Sequence, residues 1–176
     1  NKLSSNPDNS VLLIEAGPND NYPAIKMPLG ASSLFKNKKY GWGYETQPEP
    51  NLKGRLINWP RGKTLGGSSS INGMVYIRGQ AEDYEAWKNS GNNGWGYRDL
   101  MKHFISLENN QNHQDQYHGN FGPLWVETFN SSLEASKVFK NACAESGLNE
   151  NNDFNGDTQE GFGTYQVNIK DGQRCS

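Results

Sequence analysis

The run Arg61-Gly62-Lys63-Thr64-Leu65-Gly66-Gly67-Ser68-Ser69-Ser70-Ile71-Asn72 leads directly into Gly73-Met74-Val75-Tyr76-Ile77-Arg78-Gly79, and its reading decides the fold. Glycine has no Cβ, so paired glycines let backbone approach a ligand closely. A helix beginning near Ser69 would point its first N–H groups into the loop, where a phosphate or pyrophosphate is stabilised. The serine hydroxyls add donors, and the Asn72 amide both donates and accepts. A flexible Gly/Ser linker is the alternative. The apolar Ile71, Met74, Val75, Tyr76 and Ile77 that follow are not linker composition.

Upstream, Val11-Leu12-Leu13-Ile14 is a short apolar run closed by Glu15-Ala16-Gly17-Pro18. Its length and flanks predict a buried strand of a parallel sheet. Glu15 would then stand at the carboxyl end of that strand, where an acidic residue of a dinucleotide fold accepts hydrogen bonds from ribose hydroxyls. A solvent-exposed Glu ending a strand is the alternative. Arg61 and Lys63 flank the glycine loop and either offset a pyrophosphate charge or are simply solvated. Residues 17–63 are rich in Pro, Gly, Asn and aromatics, with Tyr40-Gly41-Trp42-Gly43-Tyr44 as an aromatic knot. Little helical period is visible there, and an excursion of this length is usually functional.

Downstream, residues 81–89 read as a short acidic helix carrying Tyr84 and Trp87. Tyr97, Leu100, Met101 and Phe104 have helical spacing and predict an amphipathic helix to about 107. Residues 109–120 are polar and read as loop, and Pro123-Leu124-Trp125-Val126 starts a strand. Ser131 and Glu134 form a capping-box pattern. Behind it Ala135, Val138, Phe139 and Ala142 share a helix face that Gly147 stops. Phe162 to Ile169 suggests another strand. The pattern is mixed, a slice of α/β to α+β architecture.

Composition bounds the function. The 176 residues suffice for one ordinary domain, and the net charge of −2 leaves no basic surplus for a nucleic-acid backbone. Mean hydropathy is −0.90 and the apolar fraction 33%, polar for a globular domain, yet five Trp, eight Tyr and seven Phe supply large units of buried area. No apolar run approaches the roughly 18 residues of a transmembrane segment. A soluble, cytoplasmic setting is the default, and any membrane association would come from other parts of a parent protein. Cys143 and Cys175 lie in no metal or redox spacing. His103, His113 and His118 lack a legible catalytic partner, no metal site is expected, and Asp153-Phe154-Asn155-Gly156-Asp157 reads as a turn.

Taken together these residues resemble the glucose–methanol–choline (GMC) oxidoreductase family, its choline dehydrogenase-like branch in particular. Carrying the resemblance are Leu12-Leu13-Ile14-Glu15-Ala16-Gly17, Tyr44-Glu45-Thr46-Gln47-Pro48-Glu49-Pro50 and above all Arg61 to Gly79; Tyr117-His118-Gly119, Gly122-Pro123-Leu124 and Glu160-Gly161-Phe162-Gly163 agree with it further along. The resemblance implies a Rossmann-type FAD domain packed against a substrate domain with an antiparallel sheet. Residues 1–120 would be a partial FAD-binding domain, and residues 121–176 the start of the substrate domain. It implies oxidation of a small primary alcohol, choline as first guess, by hydride transfer to the flavin.

By the same resemblance Glu15 would bind the adenosine ribose. Arg61, Gly62, Leu65, Gly66, Gly67 and Ser68 would line the cofactor near pyrophosphate and flavin, and Asn72, Gly73, Met74 and Val75 would approach the isoalloxazine. Ile71 stands where some members carry a flavin-linking histidine, so noncovalent FAD is implied. The family's Gly-x-Gly-x-x-Gly turn is expected before Asn1 and its catalytic histidine beyond Ser176, so no catalytic residue is assigned here. Such a piece alone is expected neither to turn over alcohols nor to hold FAD strongly. The rival readings are an FAD-containing lyase of the same family and a non-catalytic fragment that binds nothing tightly.

Overall fold

A computed structural model describes residues 2–130 and 132–175. The chain separates into two compact units, residues 1–72 and residues 73–176.

The first unit is built on short elements: helices α1 (Pro23–Lys26) and α2 (Ala31–Leu34), then the two-residue strands β1 (Tyr44–Glu45) and β2 (Asn58–Trp59). Proline at the first helical position starts α1, where its fixed φ suits the helix and its missing N–H costs nothing. The core is Ile25, Leu34, Tyr40 and Ile71, with Ala24 packed against it. Ile25 and Leu34 are fully buried, and each contributes roughly 1.5–3 kcal/mol. Tyr22 stacks on Tyr40 with ring centroids 5.0 Å apart. Tyr44 pairs Trp59 across β1 and β2, and Trp42 stacks on Tyr44 at 5.9 Å. The long excursion therefore holds its own small core, and its helices are too short to display a period.

Val11-Leu12-Leu13-Ile14 departs from expectation. It forms no strand, and Leu12, Leu13 and Ile14 are 83%, 74% and 84% exposed. A parallel strand exists only through hydrogen bonds to neighbours, and this run has none among the described residues. The apolar pattern specifies a buried strand; the partners that would bury it are not supplied by residues 2–175.

The second unit contains β3 (Val75–Tyr76), α3 (Ala81–Asn89), α4 (Tyr97–Leu107), β4 (Glu108–Asn110), β5 (Leu124–Thr128), α5 (Glu134–Glu145), β6 (Gln166–Val167), β7 (Ile169–Lys170) and β8 (Gln173–Arg174). Its main sheet is mixed, in the order β3-β6-β5-β4. β6 is antiparallel to both neighbours, with Val75 opposite Val167 and Thr128 opposite Gln166. β4 and β5 are parallel, with Asn110 opposite Val126. The sheet takes strands from both sides of position 120, so residues 73–176 fold as one unit. β7 and β8 form a hairpin whose turn residues Asp171 and Gly172 have φ of 51° and 72°, the geometry that Asp-Gly favours.

Helix α3 starts with Gln80 N–H donating to Asp83 Oδ2 at 2.8 Å. Tyr84, its buried residue, meets Trp87 edge-on at 5.5 Å and Phe104 of α4 at 5.6 Å. The α4 pattern read from Tyr97 to Phe104 thus faces α3. Helix α5 begins at Glu134 with Leu133 as N-cap; Ser131, expected to cap it, lies outside the described residues. Gly147, φ 81°, follows the end of α5. On the helix face shared by Ala135, Val138, Phe139 and Ala142, Val138 and Phe139 are 59% and 67% exposed. Residues 109–120 are not all loop, because Asn109 and Asn110 belong to β4. No described helix is long and apolar enough to cross a membrane.

Candidate functional site: a glycine loop and a buried charge network

In the first unit the segment Arg61–Asn72 folds back on itself. Leu65 N–H donates to Pro18 O at 3.1 Å, and Thr64 Oγ1 donates to the same carbonyl at 2.8 Å. The chain leaving Glu15 is thereby fastened to the loop. Gly62 N–H donates to Ser68 Oγ at 3.1 Å. A Cβ on Gly62 would stand 2.1 Å from Gly67 O, so only glycine permits this approach. Gly67–Ser70 form a single 3₁₀ turn rather than the start of a longer helix.

Ser70 is buried, whereas Ser68 and Ser69 are exposed. Ser70 Oγ donates to Leu65 O and Ser69 Oγ to Gly66 O, both at 2.8 Å. These hydroxyls lock the turn, which corrects their reading as donors for a ligand. The loop presents bare backbone at Gly66 and Gly67, between the side chains of Leu65 and Ser68. Leu65, Gly66, Ser68 and Asn72 are exposed, and a Cβ on Gly67, φ 59°, would meet no protein atom within 4 Å. Arg61 donates to Pro60 O and lies over the Trp59 ring at 5.5 Å. Lys63 lies over Trp42 at 5.2 Å. Glu15 is exposed, its Oε1 accepting Gly17 N–H at 2.8 Å. Ile71 is buried in the core.

In the second unit Gly73 also faces open space. Met74 is buried with φ 63°, a left-handed conformation that costs a non-glycine residue roughly 1–2 kcal/mol. Its carbonyl accepts Asn168 N–H at 2.9 Å. The backbone beyond it is pinned by side chains from a distant loop. Asn155 Nδ2 donates to Tyr76 O at 3.2 Å, Asn155 Oδ1 accepts Arg78 N–H at 2.8 Å, and Gln159 Nε2 donates to Arg78 O at 2.8 Å.

Behind that backbone lies a buried ionic network that sequence reasoning missed. The Arg78 guanidinium pairs with the Glu108 carboxylate through Nη2 and donates to Tyr117 O at 2.7 Å. Glu108 Oε1 lies 2.8 Å from His118 Nδ1, and His118 Nε2 lies 2.8 Å from Asp153 Oδ2. Asn110 donates to Glu108, and Gln166 donates to Asp153 Oδ1. Burial alone would discharge His118, but its hydrogen bonds to Asp153 and Glu108 win and hold it at about 9. Burial likewise opposes the charged carboxylates, yet hydrogen bonds from His118 keep Glu108 and Asp153 below their ordinary values, aided at Glu108 by Asn110 and the Arg78 charge. His118, read as a loop histidine, is thus a clamped histidinium, and Asp153 and Asn155 of the expected simple turn are part of its frame.

The GMC oxidoreductase family profile matches residues 12–176, and the chain belongs to that family. It is 49% identical to an alcohol dehydrogenase (acceptor) of Pseudomonas putida, over 100% of this chain and 32% of that protein. It is 43% identical to an oxygen-dependent choline dehydrogenase of Rhizobium etli (strain CIAT 652), over 99% of this chain and 32% of that one. The crystal structure of pyridoxine 4-oxidase from Mesorbium loti superimposes with a TM-score of 0.90 at 35% identity, covering 99% of this chain and 35% of that one. The chain therefore spans about a third of the length of these relatives.

Proposed function

We propose that this chain is the cofactor-holding part of an FAD-dependent oxidoreductase that oxidises the CH–OH group of a small alcohol. The observation that carries the reading is the Gly66–Ser68 segment, with Gly66 and Ser68 exposed, Gly67 half-buried and open space where a Gly67 Cβ would stand. Such a surface fits a bulky anionic group that backbone must approach closely. The names of the relatives supply the alcohol, and choline is the first candidate.

Glu15 would hold the adenosine ribose. Arg61, Gly62, Leu65, Gly66, Gly67 and Ser68 would line the pyrophosphate and the adjoining flavin, and Asn72, Gly73, Met74 and Val75 would face the ring system. Strain of the kind stored at Met74 tends to collect at working sites. Bound FAD would supply the hydride acceptor; the chain's own residues bind it, orient it and exclude water. Ile71 has no nucleophile and is buried, so attachment at that position would be noncovalent. We assign proton transfer to none of the three histidines. Both ring nitrogens of His118 are engaged inside the network, and His103 is exposed on α4. We further read the mixed sheet of the second unit as the beginning of the substrate-side architecture.

Flavin fluorescence anisotropy, followed while the protein is titrated into FAD, tests the cofactor assignment. A weak but saturable rise that ADP reverses is expected, in keeping with a piece that does not hold FAD strongly. A flat trace overturns it.

A further inference from the structure

Beside the charge network, four side chains converge whose donor atoms no part of the proposed flavin chemistry uses. His113, Asp115 and His118 come from one turn after β4, and Asp153 comes from the loop following Asn151. One donor atom from each lies within 4.8 Å of all the others. We propose that His113, Asp115, His118 and Asp153 form a structural site for a transition-metal dication, zinc in the first instance.

The strongest support is the group behind His118. A metal-ligating histidine commonly donates its other ring N–H to a carboxylate, which fixes the tautomer and raises ligand basicity. Glu108 stands in that place at Nδ1, itself fully buried and held by Arg78 and Asn110. Nε2 is left directed at Asp153, and the metal takes the place of the proton between them. His113 stacks on His118 at 5.1 Å with 29° between the planes, and its backbone N–H donates to Asn110 Oδ1 at 2.9 Å. Asp115 Oδ1 accepts Tyr117 N–H at 2.8 Å, which shapes the turn.

Charge agrees with this. Against the guanidinium of Arg78 stand the three carboxylates of Glu108, Asp153 and Asp115, a surplus of two negative charges that a dication offsets. Two imidazoles and two carboxylates suit zinc, whereas calcium and magnesium prefer oxygen alone. Four donors around zinc at about 2.0–2.2 Å stand about 3.3–3.6 Å apart at tetrahedral corners, so donors up to 4.8 Å apart close by about an ångström and the 2.8 Å His118–Asp153 pair opens. The exposed Asp115 and half-buried His113 supply that movement.

The test is calorimetric titration of zinc chloride into EDTA-stripped protein, alongside the His113→Ala and Asp115→Asn variants and their double. Saturable binding of one zinc is expected, weakened at least about tenfold by each single change, with no response to calcium. Neither side chain belongs to the core, so the variants should fold; circular dichroism checks this. Absence of saturable zinc binding overturns the proposal, as does undiminished affinity in the double variant. Cobalt provides a measurement without mutation. The wild-type protein should give the visible bands of a four-coordinate nitrogen–oxygen site, and thiolate charge-transfer absorption would place the metal on Cys143 or Cys175 instead. FAD binding plays no part in either readout.

Discussion

Asp153 Oδ2 and His118 Nε2 lie 2.8 Å apart across the interior of the second unit, an ion pair between residues 35 positions apart in the chain. Its partner contact on the other side of the ring, to Glu108, is also 2.8 Å. A charged ring held between two carboxylates makes stability depend on pH in a defined direction.

The folded His118 value, about 9, lies above the ordinary 6.5. Its contribution is therefore complete below about pH 6.5 and is lost as pH rises through 9. Glu108 and Asp153 are shifted downward, so theirs is complete above the ordinary carboxylate range and is lost as pH falls below it. The melting temperature in EDTA should be highest near pH 5–6.5 and decline towards pH 9–10. A His118→Gln variant should be less stable and lack the alkaline decline. An alkaline limb of equal steepness in wild type and variant would contradict this.

Glu108→Gln leaves the Arg78 and His118 charges buried with half their compensation. Removing one partner of a buried ion pair costs about 3–5 kcal/mol. Urea unfolding should show a loss of that order. A loss under about 1 kcal/mol would mean that the network carries little of the fold.

Ser69 and Ser70 are adjacent but unequal. Ser70 is fully buried and Ser69 exposed, although each donates to a carbonyl at 2.8 Å. Ser70→Ala should cost about 1–3 kcal/mol, because Leu65 O loses a buried donor. Ser69→Ala should stay within about 0.5 kcal/mol. Equal effects in denaturant titrations would refute this division of labour.

Ile25 and Ile14 make a similar contrast between core and surface. Ile25→Ala should cost about 2–5 kcal/mol. Ile14→Ala, at a residue 84% exposed, should be nearly neutral in this chain. A large loss at Ile14 would show that the apolar run Val11–Ile14 is buried after all.

Much of the fold was legible where a single periodic face decides the structure. Tyr97, Leu100, Met101 and Phe104 announced α4, and α3 followed from residues 81–89. Strand β4 was illegible because its inward positions, Glu108 and Asn110, are polar. Hydropathy cannot distinguish a solvated polar residue from one satisfied by Arg78 or His118. The hairpin at Asp171-Gly172 carries a local signal in its Asp-Gly turn. Val11–Ile14 shows the opposite failure: a strand pattern says what should be buried but not that the partners are present. At the loop, glycine spacing pointed to approach of backbone to a ligand; at Gly62 the close neighbour is the chain's own Gly67 carbonyl, and Gly67 faces open space. The hydroxyls of Ser69 and Ser70 were read by residue type alone, and only their geometry shows that they fasten the turn. The charge network joins residues 10 to 35 positions apart at each step, beyond the reach of any local motif.

The central claim is that bare backbone at Gly67 receives the cofactor. Gly67→Asn tests it most directly. Asparagine tolerates the left-handed φ, and its Cβ would meet no protein atom within 4 Å. FAD anisotropy titrations of wild type and variant should show at least about tenfold weaker binding by the variant, about 1.4 kcal/mol, with unchanged melting temperature. Equal affinity would place the cofactor elsewhere and contradict the account.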